Sequence, residues 1–456
     1  MQQSTGMNPT ERRAALSLAS IMATRMLGLF MILPVFSLYA EGLPDATPFL
    51  IGMAIGVYGL TQALLQVPFG MASDRFGRKR VITIGLLLFA AGSVVAATAD
   101  SLFVIILGRA LQGCGAVAAA VMALTADLTR EDQRTKAMAI IGMSIGSAFA
   151  LALVAGPLLN EIVGVKGIFW LTAALAVGAI AILWFSVPQP GHSSLHRDAG
   201  LVPEQAGSVL HDGQLLRLDA GILILHTILT ATFVALPLVM RDELGIAAVH
   251  HSWVYLPILF VSAATMVPFI IVAERKQRMK PVFIGAVSIL GLSLLALSQW
   301  YANMVAFVVI LWLFFSAFNF LEASLPSLVS KVAPAEKKGT AMGIYSSSQF
   351  FGAFLGGGIG GWAYGEYGSS GVFIFCAAMV ALWWLLAVSM RSPRYLANLM
   401  VHLEDADNRS TDELIEVLRT VAGVVEVAVV RDEQVAYLKV DNRQLDRETL
   451  DSLFAR

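Results

Sequence analysis

Apolar residues fall along this chain in runs of about 20, the length a helix needs to cross the ~30 Å hydrocarbon core of a bilayer. Six runs lie near residues 14–38, 49–71, 80–98, 101–126, 137–160 and 166–187, and six more near 218–239, 252–273, 281–299, 303–325, 340–363 and 370–389. Each run predicts one transmembrane helix. The stretch between the two sets, 188–217, is rich in Gly, Ser, Pro, His and Asp and predicts a linker. The pattern therefore divides the chain into a six-helix half at 1–187, the linker, a second half at 218–392 and a tail at 393–456.

Composition agrees with this division. Hydrophobic residues make up 57% of the 456 and charged residues 14%, and the mean hydropathy is +0.73. An ordinary soluble protein carries about 25% charged residues. The first run is too long for a signal peptide, and no small-residue cleavage site follows Tyr39 to Leu43, so it is expected to remain as span 1. Of 23 basic residues before position 393, Arg25 and Arg109 fall inside runs, and 19 others lie on the loops that share a side with the N-terminus. Lys166 and Arg241 lie on the other side. Lys/Arg bias sets topology, which predicts cytoplasmic termini and linker. The two cysteines, Cys114 and Cys376, sit far apart inside apolar runs, so no disulfide framework, metal site or redox cofactor is expected.

The halves share a motif. Pro68-Phe69-Gly70-Met71-Ala72-Ser73-Asp74-Arg75-Phe76-Gly77-Arg78 and Pro268-Phe269-Ile270-Ile271-Val272-Ala273-Glu274-Arg275-Lys276-Gln277-Arg278 match at an offset of 200 in proline, phenylalanine, an acid and two arginines. Lys136-Ala137-Met138 and Thr340-Ala341-Met342 form a weaker echo. Parallel six-helix repeats are the architecture of major facilitator transporters, and the loop Gly70-x-x-x-Asp74-Arg75-x-Gly77-Arg78-Lys79 resembles that superfamily's signature between spans 2 and 3. Arg109-Ala110-Leu111-Gln112-Gly113 resembles a motif of its drug:proton antiporter branch. In that branch glycines follow Gly-Pro on span 5, where this chain has Gly156-Pro157-Leu158-Leu159-Asn160. Arg25-Met26-Leu27-Gly28, the Asp127-Leu128-Thr129-Arg130 exit from span 4 and the tail resemble a branch member that carries an appended domain.

Charge inside a membrane is expensive and marks functional candidates. Glu322 and Asn319 lie one turn apart on span 10, His226 is near the middle of span 7, and Arg25, Arg109 and Gln112 lie on spans 1 and 4. Two roles are open to Glu322: a proton site, or a permanently paired packing group. His226 reads either as a packing group or as a coupling residue in its own titration range. Arg109 would tune an acid or order water, and Arg25 would bind substrate or pair with a carboxylate. Gly77 is expected to permit close backbone approach. The resemblance implies that Asp74 caps the start of span 11 in the outward-facing state and that Arg78 pairs with Asp127, a latch built with Gly70, Arg75 and Gly77. Glu274, Arg275 and Arg278 are the second-half equivalents. The glycines of Leu355-Gly356-Gly357-Gly358-Ile359-Gly360-Gly361 lack the Lys-Ser/Thr of a phosphate loop and predict close helix packing.

In the tail, 8 basic residues face 13 acidic ones. Segments 399–403, 424–431 and 434–440 alternate like strands, Ser410-x-x-Glu413 is a capping box for a helix that Gly423 ends, and a second helix covers about 446–455. The order βαββα is an incomplete ferredoxin-like unit, without the Cys-x-x-Cys of metal carriers. With its net charge of -5 it is expected to act as a regulatory or docking module packed against the basic cytoplasmic loops, or else as a stability or assembly appendage.

The predicted fold is therefore an all-α membrane protein of twelve helices in two pseudo-repeats, followed by a small α+β ferredoxin-like cytoplasmic domain. The expected function is proton-coupled efflux of small amphipathic compounds by alternating access, by a monomer in the cell inner membrane. The alternative is a membrane ligand sensor that signals through its tail. No nucleophile–base pair, metal cluster, nucleotide motif or nucleic-acid interface is present in the sequence. An enzyme is not expected.

Overall fold

The computed structural model describes residues 6–189, 203–334, 337–392, 397–403, 410–430, 434–441 and 444–453. Ten helices within these are long and apolar enough to cross a membrane. Spans 1 to 4 are Pro9–Phe30, Pro48–Phe76, Arg78–Thr98 and Leu102–Asp127, and spans 7 to 10 are Gly213–Asp242, Ala248–Arg275, Met279–Trp300 and Met304–Val332.

The other two helices, Gln133–Phe185 and Lys338–Ser389, contain 53 and 52 residues. A straight helix of that size would be about 80 Å long, far beyond one bilayer. Each reverses at a single glycine with positive φ, Gly164 at 66° and Gly368 at 63°. Neighbouring contacts trace the reversals. Gly156 lies against Met31, Thr172 against Gly28, and Arg13 donates to the Phe185 carbonyl, so the chain rises along span 1 and returns. Similarly Gly365 lies against Pro48, while Arg217 donates to Ser389 Oγ at 2.9 Å. Counted as hairpins, these helices supply spans 5–6 and 11–12, and the described spans number twelve. Helix starts are capped where the sequence offers Asn, Thr or Ser: Asn8 with Glu11 forms a capping box, and Thr47, Ser101 and Asn303 each accept from the first turn.

Three expectations need correction. The linker contains a helix, Pro203–Leu210, and span 7 begins at Gly213 behind an Asp212 cap, so the polar stretch is shorter than expected; residues 190–202 lie outside the described set. The first run is not one helix, because the chain leaves helical form after Phe30, passes Pro34 and resumes at Phe36–Ala40. Run 4 breaks between Gly113 and Ala118, where Gly115 presses on the Gly85 carbonyl of span 3.

Glycine builds two seams on span 11. Gly352, Gly356 and Gly360, four residues apart, face Leu223, Thr227 and Ala231 of span 7, also four apart. The adjacent face meets the other half: a Cβ on Gly52 or Gly357 would overlap the partner's carbonyl oxygen, and one on Gly59 would overlap the Phe350 carbonyl. Further contacts between halves lie from mid-bundle toward the end away from the termini. Ser252 donates to the Val154 carbonyl at 2.7 Å, Ser37 to the Phe233 carbonyl at 3.4 Å, and Arg241 pairs with Glu41 at 2.8 Å. That far end is sealed.

The repeat is also visible in the backbone. Gly77 turns with φ 92°, and Gln277, two hundred residues on, turns with φ 52°. A Cβ on Gly77 would meet nothing within 4 Å, so this glycine is there for its dihedral angles and not for close approach as expected.

The tail forms an antiparallel sheet of β1 (Ala397–His402), β2 (Val424–Val430) and β3 (Val435–Val440) in the order β1-β3-β2. Helix Thr411–Thr420 starts on the Ser410–Glu413 capping box, and its Leu414 and Leu418 pack with Ala436, Leu438 and Val440. The helix ends at Thr420, before Gly423, whose φ of 86° serves the turn into β2. The final helix is Arg447–Ser452; the expected residues 454 and 455 lie outside the described set.

Candidate functional site

Polar side chains from three spans of the second half meet inside the bundle. Gln349 on span 11 holds His226 Nε2 of span 7 at 2.9 Å and Glu322 Oε1 of span 10 at 3.1 Å. An amide nitrogen can only donate, so His226 accepts at Nε2. His226 Nδ1 stands 3.8 Å from Glu322 Oε2, and the Glu322 side chain keeps 37% of its surface accessible although it lies within the bundle. Asn319 turns elsewhere and donates to Ser262 Oγ of span 8 at 3.1 Å. Phe318 lines the cluster between His226 and Phe149 of the other half.

The buried arginines belong to the first half and do not join this cluster. Arg25 and Arg109 are each 1% exposed and flank the Tyr58 ring at 5.9 and 5.4 Å. Arg25 donates to Tyr58 Oη and Gln62 Oε1, both at 2.6 Å, and to the Gly115 carbonyl at 2.9 Å. That carbonyl lies in the break of span 4, where it also accepts from the Val117 N–H at 2.9 Å, so Arg25 ties span 1 to the interrupted backbone of span 4. The carboxylate pairing expected for Arg25 is not made among the described residues: its acceptors are neutral. Arg109 donates to the Ala54 and Ile55 carbonyls and to Gln112 Oε1, and Gln112 passes the chain on to Ser93 Oγ at 2.7 Å. Tyr58, Gln62 and Gln66 form an i, i+4 polar ladder on span 2, with Gln62 donating to Gln66 at 3.0 Å.

At the terminal end, Arg78 bridges two acids. It pairs with Asp74 one turn before it and with Asp127 Oδ2 at 3.1 Å, and also donates to Ser73 Oγ at 2.8 Å. Ser73 returns a bond to the Gly70 carbonyl, while Arg75 lies over the Phe76 ring. The N-cap residue of span 11, Lys337, makes no side-chain capping bond, and Asp74 pairs within its own half. In the second half the pattern is rewired. Lys331, which ends span 10 as Asp127 ends span 4, grips Glu274 at 2.6 and 2.8 Å, and Arg275 and Arg278 are exposed.

A sequence profile described as Major Facilitator Superfamily matches residues 18–226 and 218–421. The chain belongs to the major facilitator superfamily. Among relatives of this superfamily, the inner membrane transport protein YajR of Escherichia coli (strain K12) is 46% identical over 97% of each chain. Multidrug resistance protein MdtH of Klebsiella pneumoniae is 24% identical over 79% of this chain and 90% of its own. A bacterial homologue of the human lysosomal transporter Spinster, in its inward-facing and occupied conformation, shares the fold with TM-score 0.68 at 14% identity, covering 84% of this chain and 96% of its own. These relatives are membrane transporters and not enzymes, and the chain is a multi-pass transporter of that superfamily.

Within the major facilitator fold, the residues missed in the sequence are those whose partners are distant in the chain. Gln349 stands in a plain Ser-Ser-Gln-Phe stretch, and nothing in that local sequence marks it as a site residue. Lys331 could have been found, since the offset of 204 shared by the Ala-Met echo aligns it with Asp127.

Proposed function

We propose that the protein is a proton-coupled antiporter that exports small amphipathic compounds across the cell inner membrane by alternating access. The supporting observation is the Gln349 bridge between Glu322 and His226, a titratable pair on two helices that meet a third whose adjacent face contacts the other half. Burial and neighbouring charge change when a cavity switches sides, and both alter carboxylate protonation. The conformation described is sealed at the far end; on the Lys/Arg distribution the open end faces the cytoplasm, together with both termini and the tail.

The cluster at Asp74, Arg78 and Asp127 is the proposed latch. In this state Asp74 is turned onto Arg78, and in the opposite state it would be available to the start of span 11, where a helix N-terminus favours a carboxylate. The tail is assigned a ferredoxin-like fold lacking its last strand, on the basis of its β1-β3-β2 order. Protons and one small-molecule substrate are the partners required, and the working unit is the monomer.

The test uses purified protein in liposomes under an imposed pH gradient, with internal pH recorded as lipophilic cations, neutral drugs and sugars are added. Substrate-dependent proton flux that Glu322→Gln abolishes is expected. Saturable binding with no flux for any compound would reject the antiporter in favour of a ligand sensor.

A further inference from the structure

The sheet of the tail is covered on a side its own helices do not reach. Along β3, Ala436, Leu438 and Val440 face the helix side, and the alternating residues Val435, Tyr437 and Lys439 point the other way. In an isolated three-stranded sheet these would be open to water, yet they are 4%, 5% and 4% exposed. Lys439 shows what it meets: its ammonium donates to the Lys331 carbonyl at 3.2 Å and the Val332 carbonyl at 3.4 Å, and pairs with Glu426 at 3.4 Å. Span 10 ends at Val332. Its last carbonyls have no partners within the helix, and they form the negative end of its dipole. Docking of the acidic domain, expected to be acid on basic loop, is instead made in this contact by a lysine on a helix C-terminus.

We propose that the appended domain is a detachable brace on span 10, seated through Lys439, that favours the state open at the terminal end. Three relationships carry this. Span 10 bears Glu322 ten residues above the contact. Lys331, whose carbonyl receives Lys439, holds Glu274 with its ammonium, so the domain touches the helix end that replaces the Asp127 position of the first-half cluster. The seam is also loosely packed: an open cleft of about 220 Å³ remains between Pro334 and the sheet residues Val425, Val427 and Tyr437. A polar contact such as that of the Lys439 ammonium on two helix-end carbonyls can be made and lost as span 10 moves. A contact made in one state only shifts the equilibrium toward that state.

The inference rests on the alternating-access reading but not on any substrate or ion, and its test needs neither. Full-length protein in lipid nanodiscs carries spin labels at Arg80→Cys and Lys276→Cys to report the opening between halves, or at Thr420→Cys and Lys276→Cys to report seating of the domain. With Lys439→Met, the domain-to-body distances should broaden and the ratio of terminal-open to terminal-closed molecules should fall at least threefold; Lys439→Arg should preserve both. A second variant guards against misfolding of the domain: Lys439→Cys with Val332→Cys, bridged by a flexible bifunctional thiol reagent of about 10 Å reach because the pair is too far apart for a direct disulfide, should hold the terminal-open population. An unchanged domain distance in Lys439→Met, a bridged protein that still loses the terminal-open state, or release of the domain with no change between the halves would overturn the proposal. An uncoupled or sensing protein would give the same distances, so failure of the antiporter reading remains distinguishable.

Discussion

Gln277 repeats, at φ 52°, the turn that Gly77 makes at φ 92° two hundred residues earlier. Side-chain-bearing residues reach positive φ only at a cost of about 1–2 kcal/mol, so the second half carries strain that the first avoids. Gln277→Gly is expected to stabilise the protein by about 0.5–1 kcal/mol, and Gly77→Ala to destabilise it by about 1 kcal/mol or more, although the added methyl meets no atom. Thermal unfolding in one detergent, compared across the pair, checks both signs.

The Gly52–Gly357 contact sets how closely the far end can shut. Gly357→Leu would drive a side chain into the span 2 backbone, and shape change in a packed interface is poorly tolerated. Labels at Asp45→Cys and Glu366→Cys should then report a longer separation in most molecules. Gly178→Leu, where an added Cβ meets nothing, should leave the distance unchanged.

Arg78 and Lys331 occupy related places but differ in burial. Side-chain exposure is 3% for Arg78 and 0% for Asp127, against 20% for Lys331 and 37% for Glu274. Removing one member of a buried pair leaves a charge stranded, at a cost of about 3–5 kcal/mol, whereas exposed pairs contribute about 0–1 kcal/mol. Arg78→Met should therefore lower stability severely and Lys331→Met slightly. The double variant Arg78→Met with Asp127→Asn should recover part of the loss, measured as melting temperature and as yield of monodisperse protein.

Gln349 serves two acceptors at once, so its removal and theirs should not add. Gln349→Leu is expected to cost about 1–3 kcal/mol by leaving a buried acceptor without its donor. His226→Leu made in the same chain should cost less than the sum of the singles, with a coupling of about 0.5–3 kcal/mol. Additive effects in a double-mutant cycle would mean that the bridge is not formed in the lipid-embedded protein.

Much of this architecture is legible from hydropathy, because water and lipid act on each span separately. The spans, the division into halves and the strands of the tail all follow from local pattern, and the Arg78–Asp127 pair came from the resemblance to a known loop. What local pattern cannot supply is registry between elements. The break in span 4 at Gly115 is invisible as hydropathy, since Cys114 to Val117 are all apolar or small, and without it Arg25 reads as a charge seeking a carboxylate. Span 11 illustrates the same limit: its glycines announce close packing, but not that one face serves span 7 and the adjacent face serves span 2. Lys439 looks like one more charge on a surface strand, and only the three-dimensional placement of β3 covers it.

Lys166 lies 2.6 Å from Asp100, and Arg241 lies between Glu41 and Asp242. These are the two basic residues at the far end of the bundle, and each is paired with an acid. Each cation at that end sits beside a carboxylate, Asp100 for Lys166 and both Asp242 and Glu41 for Arg241. The Lys166–Asp100 pair closes within the first half, but Arg241 reaches Glu41 only after span 7 has been made. The Arg241–Glu41 pair therefore does two things at that surface: it neutralises a cation of the second half and ties that half to the first.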